Sequence, residues 1–186
     1  MKKIMFNDKY GLTQAVLEGR KTQTRRTFLN PGEETLLDGI TPEYLISVKS
    51  RYKIGETVAI AQSYKDIHAE ILREVGPWDL KKEFRQSKGY TNKMFVRAEK
   101  MPHAIRITNI RVERLQDISE EDCLKEGIWR DDNVGLEGTT YWYHGLANSS
   151  FRTPQEAYAS LIDSISGKGT WASNPYVFVY DFELID

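Results

Sequence analysis

Tyr176, Phe178, Tyr180 and Phe182 alternate with Val177, Val179, Asp181 and Glu183 near the end of the chain. A period of two puts the four rings on one side of a strand. Four aromatic side chains on one strand face need cover along its whole length, so the rest of the chain has to fold around this segment. Ile105 to Leu115 predicts a second long strand. Its apolar parity changes, with Ile105 and Ile107 odd but Ile110 and Val112 even, and a β-bulge near Thr108 and Asn109 restores one buried face. Thr57 to Ile60 predicts a short strand from its threonine, valine and isoleucine.

Helices are signalled around these strands. Asn7 or Asp8 caps a short one with Leu12, Ala15 and Val16 on one face, and Gly19 stops it. Ser119 caps another, with Asp122 as the third residue of a variant capping box, Ile118 able to staple onto Cys123, and Gly127 at the end. The best-marked helix starts at Thr153. It has Pro154 first, Glu156 third, an inward face of Ala157, Tyr158, Leu161, Ile162 and Ile165, and a stop at Gly167. Residues 30–56, with Pro31, Gly32, Gly39, Pro42 and Gly55, read as mostly loop. A helix is expected from Asp66 to about Arg73. Beyond it, Gly76, Pro77, Gly89 and the charged run Lys81 to Lys88 make residues 65–100 read as a solvated insertion. Short strands, long connections and no regular βαβ rhythm predict an α+β fold, a small barrel decorated by helices rather than a doubly wound sheet.

A chain of 186 residues suits one domain. Its formal net charge of −1 argues against holding long nucleic acid by bulk electrostatics, so any such affinity must be local. Cys123 is the only cysteine, which rules out an internal disulfide framework and a multi-cysteine zinc site. The first residues, MKKIMFNDKYG, contain no apolar run of signal-peptide length, and nowhere do eighteen apolar residues follow one another. A cytoplasmic protein without a membrane span is expected.

Arg20, Lys21, Arg25 and Arg26 put four cations beside Thr22, Gln23 and Thr24 with no acid among them. Guanidinium forks suit phosphate or a base edge, and the hydroxyls and amide suit a polar ring. The competing reading, which charge alone favours, is a solvated loop or pairing with Asp117, Glu120, Glu121 and Asp122. Lys21 and Thr24 share a face if the segment is helical and lie on opposite faces if it is extended. In a desolvated pocket, a lysine of lowered pKa can take the threonine proton. Glu126 ends the helix before Gly127, where the helix dipole disfavours a carboxylate; a plain exposed glutamate is the ordinary reading. His68, His103 and His144 are scattered and form no HExxH pair, so neither a metal site nor a cofactor is expected. Gly167 to Thr170, GKGT, lacks the earlier glycine of a phosphate loop and follows a helix instead of opening one. Lys168 and Trp171 nevertheless stand as nucleotide-binding candidates, the latter by stacking on a base, although a tryptophan beside a core strand is more often packing.

Three blocks carry a resemblance: FNDKYGLTQAVLEGRKTQTRR from Phe6 to Arg26, ITNIRVERLQDISEEDCLKEGI from Ile107 to Ile128, and SISGKGTWASNPYVFVYDFE from Ser164 to Glu183. By these the chain resembles the ASCH-domain family, in its longer form found often in phages and their hosts. The resemblance implies a single domain over residues 1–186 with a PUA-like, mixed or antiparallel β-barrel, short helices and a large insertion at about 62–104. It implies a cleft lined by GRKTQTRR that binds RNA or a modified nucleoside, with Arg20, Gln23, Arg25 and Arg26 as contacts. Some very small relatives in the wider family are metal-independent amidohydrolases that deacylate N4-acetylcytidine; their catalytic lysine, threonine and glutamate fall on Lys21, Thr24 and Glu126, and their arginine on Arg26. The chain departs from the long form at Ala59 and at MPHAIR, where tryptophans are usual, and at Gln62, where an acid is usual. Those departures keep open an accessory role, in which the surface contacts an unspecified protein partner.

Overall fold

The aromatic alternation becomes the centre of a sheet. In the computed structural model, which describes residues 1–28, 39–68, 79–132, 138–146 and 150–185, the strands are β1 (Lys2–Ile4), β2 (Gln23–Thr27), β3 (Thr57–Ile60), β4 (Ala104–Arg114), β5 (Trp129–Asp131), β6 (Thr140–Trp142) and β7 (Tyr176–Ile185). Five of them form one sheet in the order β1-β3-β4-β7-β2, and β5 pairs with β6 separately. β1 runs parallel to β3, and the other neighbours are antiparallel.

The two long strands pair along most of their length, with a register shift between Ile107 and Asn109. Ile107 lies opposite Phe182, Ile110 opposite Tyr180 and Val112 opposite Phe178. The extra residue returns both parities to the face that carries the rings, as the parity change predicts. Val177 and Val179, on the other side of β7, are as deeply buried as Phe178 and Tyr180. The strand is therefore covered on both faces, because Ala157, Tyr158 and Leu161 belong to the same apolar cluster as its valines.

β1 and β2 are the two edges of this sheet, and no strand pairing joins them, so the sheet is not closed into a barrel among the described residues. A side chain spans the gap: Arg26 Nη2 donates to the Met5 carbonyl at 2.6 Å.

Local signals explain most of the helices. Asn7 caps the turn before α1 (Leu12–Leu17) by accepting from the Lys9 amide. α2 (Pro42–Lys49) lies in the segment read as mostly loop. Thr41 accepts from the Tyr44 amide and Pro42 opens the helix, a start signal that the surrounding glycines and prolines obscure. α3 (Asp79–Gln86) belongs to the predicted insertion, while the helix expected over Asp66 to Arg73 falls largely on residues 69–78, outside the described residues. Tyr64, Ile67, Phe84, Val96 and Met101 bury with Ala59 and Ala61 in a second apolar cluster, so the insertion has a small core of its own and is not simply solvated. α4 (Glu120–Lys125) starts at Ser119, which accepts from the Asp122 amide. α5 (Pro154–Ser166) has the full capping box between Thr153 and Glu156, and α6 (Thr170–Ser173) follows it. No helix of the described residues is long and apolar enough to cross a membrane.

Candidate functional site

Lys21 comes off the turn that ends α1. Gly19 takes the left-handed conformation there, φ 72°, and the Lys21 amide donates to the Ala15 carbonyl at 2.9 Å. Lys21 thus precedes β2, and the alternation of the strand does not dictate where its side chain goes. Thr24 lies within the extended strand, opposite Tyr180. Both residues line one cleft of about 720 Å³ beside the free edge of β2.

Lys21 is only 2% exposed, and its Nζ donates to the Gln23 carbonyl at 2.7 Å, the Glu126 carbonyl at 2.9 Å and Glu126 Oε2 at 2.5 Å. All three ammonium protons are committed. Among the described residues, no hydrogen bond joins Lys21 to Thr24. Glu126 is 4% exposed, against the exposed glutamate that its local context suggests. Arg25 Nη1 reaches its other oxygen at 3.2 Å, so two cations offset the unfavourable helix dipole at the end of α4. Gly127, next in the chain, has φ 103°, and a Cβ there would meet Leu12 Cδ2 at 3.2 Å, so the tight turn that seats Glu126 requires glycine.

Arg25 organises the acids behind the cleft. Its Nη2 meets Glu113 Oε1 at 2.6 Å and Asp122 Oδ2 at 3.0 Å, and Nη1 also donates to the Gln23 side-chain oxygen. Arg111 extends this lattice to Asp122 at 2.5 Å and Asp181 at 2.7 Å. Asp122 is therefore turned toward the arginines, and only half of the predicted capping box, the Ser119 half, forms. Burial opposes the charge on Arg25, but Glu126 and Glu113 outweigh it and raise the guanidinium pKa. For Lys21 the balance goes the other way. Burial lowers its pKa below the usual 10.5, against the pull of Glu126, and Arg26 and Arg25 add to the lowering. Burial, reinforced by Glu126, pushes the Tyr158 phenol well above its ordinary value.

The four cations of the basic segment therefore divide. Lys21 and Arg25 are internal, satisfied by Glu126, Glu113 and Asp122; Asp117, Glu120 and Glu121 make no ion pair with the segment among the described residues. Arg20 pairs with Glu18 and stacks on Trp129 at 3.7 Å, and that ring lies parallel to Trp142. Of the four, Arg26 alone combines exposure with a place on the cleft wall, where the exposed Lys9 also lies. Gln23 is buried and donates to Asp181, which makes it a support for Arg25, away from the cleft. Lys168 is exposed and does not line the cleft. Trp171 packs edge-on against Tyr158 at 6.2 Å and is likewise not a lining residue.

The cleft lining also has an apolar part, from Leu12, Tyr158, Leu161 and Ile162. Further polar lining residues, among them Asn7, Asp8, Lys9 and Lys93, escape sequence reasoning as site residues. Lys93 donates to the Phe6 carbonyl and pairs with Asp8 at 2.8 Å, tying the insertion to the cleft rim. Nothing local to Lys93 signals this, since the bond depends on two segments 87 residues apart. At the positions where the chain departs from its resemblance, Ala59 is a core residue of the second cluster and Gln62 lies beyond the lining of this cleft, its Oε1 buried without a partner in the structure.

No protein-family model matches the chain, and no curated protein matches it. Among solved structures, it is similar to the crystal structure of protein EF3133 from Enterococcus faecalis V583, of family DUF984. The TM-score is 0.44 and the identity 15%, over 100% of this chain and 81% of that one.

Proposed function

We propose that the chain is an ASCH-type cytoplasmic protein with a PUA-like fold, and that its cleft holds a nucleoside or nucleotide of RNA. The observation that carries this reading is the division of the basic segment: Lys21 and Arg25 are held internally, while Arg26 is exposed on the cleft wall with one guanidinium nitrogen on the Met5 carbonyl. A volume of about 720 Å³ is within the range of small-molecule sites, and a lining that mixes leucine and isoleucine with polar groups suits a flat ring with hydrogen-bonding edges. The test is fluorescence anisotropy with a labelled single-stranded RNA at 50 and 200 mM salt. Binding that weakens with salt and falls at least tenfold in Arg26→Ala is expected. Wild-type protein that binds neither RNA nor a nucleoside overturns the reading.

The pairing of Lys21 with Glu126 favours a second reading, hydrolysis of an N-acylated cytidine. A proton passed from Lys21 to Glu126 leaves a neutral amine able to accept the Thr24 hydroxyl proton. Thr24 Oγ1 then attacks the acyl carbon, Glu126 gives its proton to N4 as the C–N bond breaks so that cytidine leaves with its amino group, and water hydrolyses the acyl-threonine to free acid and the Thr24 hydroxyl. Incubation with N4-acetylcytidine, following free cytidine, checks this. Turnover in the wild type that disappears in Thr24→Val supports catalysis, and no turnover in the wild type removes it while leaving binding intact.

A further inference from the structure

A second pocket, of about 380 Å³, opens on the far side of the bridge from Arg26 to Met5. It occupies the same gap between β1 and β2 and shares Met5, Arg26 and Thr27 with the cleft described above. Its lining contains Lys3, Arg26, Lys49 and Arg51, and no carboxylate among the described residues. In a chain of net charge −1, four cations around one small pocket are a local excess. Lys3 is anchored on the Met94 and Val96 carbonyls, both at 2.7 Å. Lys49 and Arg51 are exposed and make no ion pair among the described residues. The pocket also has an aromatic wall: Phe28 lies 4.1 Å from Phe178, and Tyr52 lies 5.2 Å from Tyr180, between ring centres.

We infer that this pocket is a phosphate site for a single-stranded nucleotide chain whose neighbouring base occupies the first cleft. The inference rests on the nucleotide reading of that cleft, and it makes the ligand an oligonucleotide instead of a free nucleoside. Arg26 stands at the junction, where a backbone leaving the cleft passes from one pocket to the other. Lys49 and Arg51 supply charge to the phosphodiester with no carboxylate of their own to release, and Phe28 offers a ring face at the rim. Neither cation takes part in the buried lattice of Lys21, Arg25 and Glu126, so both can be removed without touching the first cleft.

The experiment compares wild type with Lys49→Ala/Arg51→Ala, using labelled single-stranded oligocytidine and, separately, the nucleoside N4-acetylcytidine. The expected result is at least a tenfold loss of oligonucleotide affinity, a salt slope shallower by about 0.7 for each phosphate no longer neutralised, and unchanged nucleoside binding. Thermal melts establish that the variant is folded. Equal oligonucleotide affinity and slope in the two proteins overturns the phosphate site and leaves the cleft reading standing. Wild type that binds the nucleoside but not the oligonucleotide overturns this inference alone, and wild type that binds neither overturns both.

Discussion

Lys21 Nζ and Glu126 Oε2 lie 2.5 Å apart, joining the turn after α1 to the end of α4 across 105 residues of chain. Both side chains are almost wholly removed from water, yet both face the cleft. Removing one partner of such a pair leaves the other charge buried, which typically costs about 3–5 kcal/mol. Lys21→Met is expected at the low end, because Arg25 still holds Glu126. Combining it with Glu126→Gln should cost less than the sum of the two single changes, with a coupling of about 1–3 kcal/mol. Urea unfolding of the four proteins measures this, and strictly additive losses would show that the ion pair does not bind the two elements together.

Thr24 should separate stability from chemistry. Its hydroxyl has no hydrogen bond to Lys21 among the described residues, so Thr24→Val is expected to change stability by less than about 1.5 kcal/mol. If Thr24 is the nucleophile of an N-acylcytidine hydrolase, the same variant loses turnover completely while still binding nucleoside. A variant that melts like the wild type and retains turnover removes Thr24 from the mechanism.

Acid should loosen the lattice at Asp122. Burial disfavours its charge, but Arg25 and Arg111 prevail and hold the carboxyl below its ordinary 3.8. A carboxyl whose folded pKa is depressed contributes stability that is fully present above the unfolded value and lost as pH falls through the folded one. Stability should therefore drop as pH falls below about 3.8, and Asp122→Asn should flatten that part of the profile. Chemical unfolding at pH 6, 4 and 3 measures both; an unchanged acid slope in the variant would falsify the assignment.

Cys123 is fully buried, and burial pushes its thiol up to about 12 from 9.0. The reactive species is the thiolate, so the native protein is expected to resist a thiol-disulfide exchange reagent at pH 8 and to react promptly once unfolded in urea. Fast labelling of the folded protein would mean that the end of α4 opens readily.

Several elements were legible because their signals are local. The change of parity between Ile107 and Ile110 identifies a bulge without any partner strand, since only an inserted residue can return both sets to one face. Ser119 and Thr153 mark helix starts by accepting from amides three residues on, and Pro154 by its fixed backbone angle at the first helical position. Thr41 and Pro42 carry the same kind of signal, but they sit among residues rich in glycine and proline, and the composition of the segment masks the cap. The short strands β1, β5 and β6, three residues each, are too brief for any periodicity to show.

The sequence by itself determined the alternation, the bulge, the best helix caps and the presence of one concentrated basic segment, all written in neighbouring residues. Which cations of that segment are spent internally and which remain open was decided only by tertiary structure. Arg25 finds Glu113, Asp122 and Glu126 at separations of 88, 97 and 101 residues, and Arg20 finds Trp129 on a different sheet. Charge in a sequence carries no direction. Packing β2 against β7 and α4 aimed Arg25 inward and left Arg26 at the open edge, because successive residues of a strand point to opposite faces.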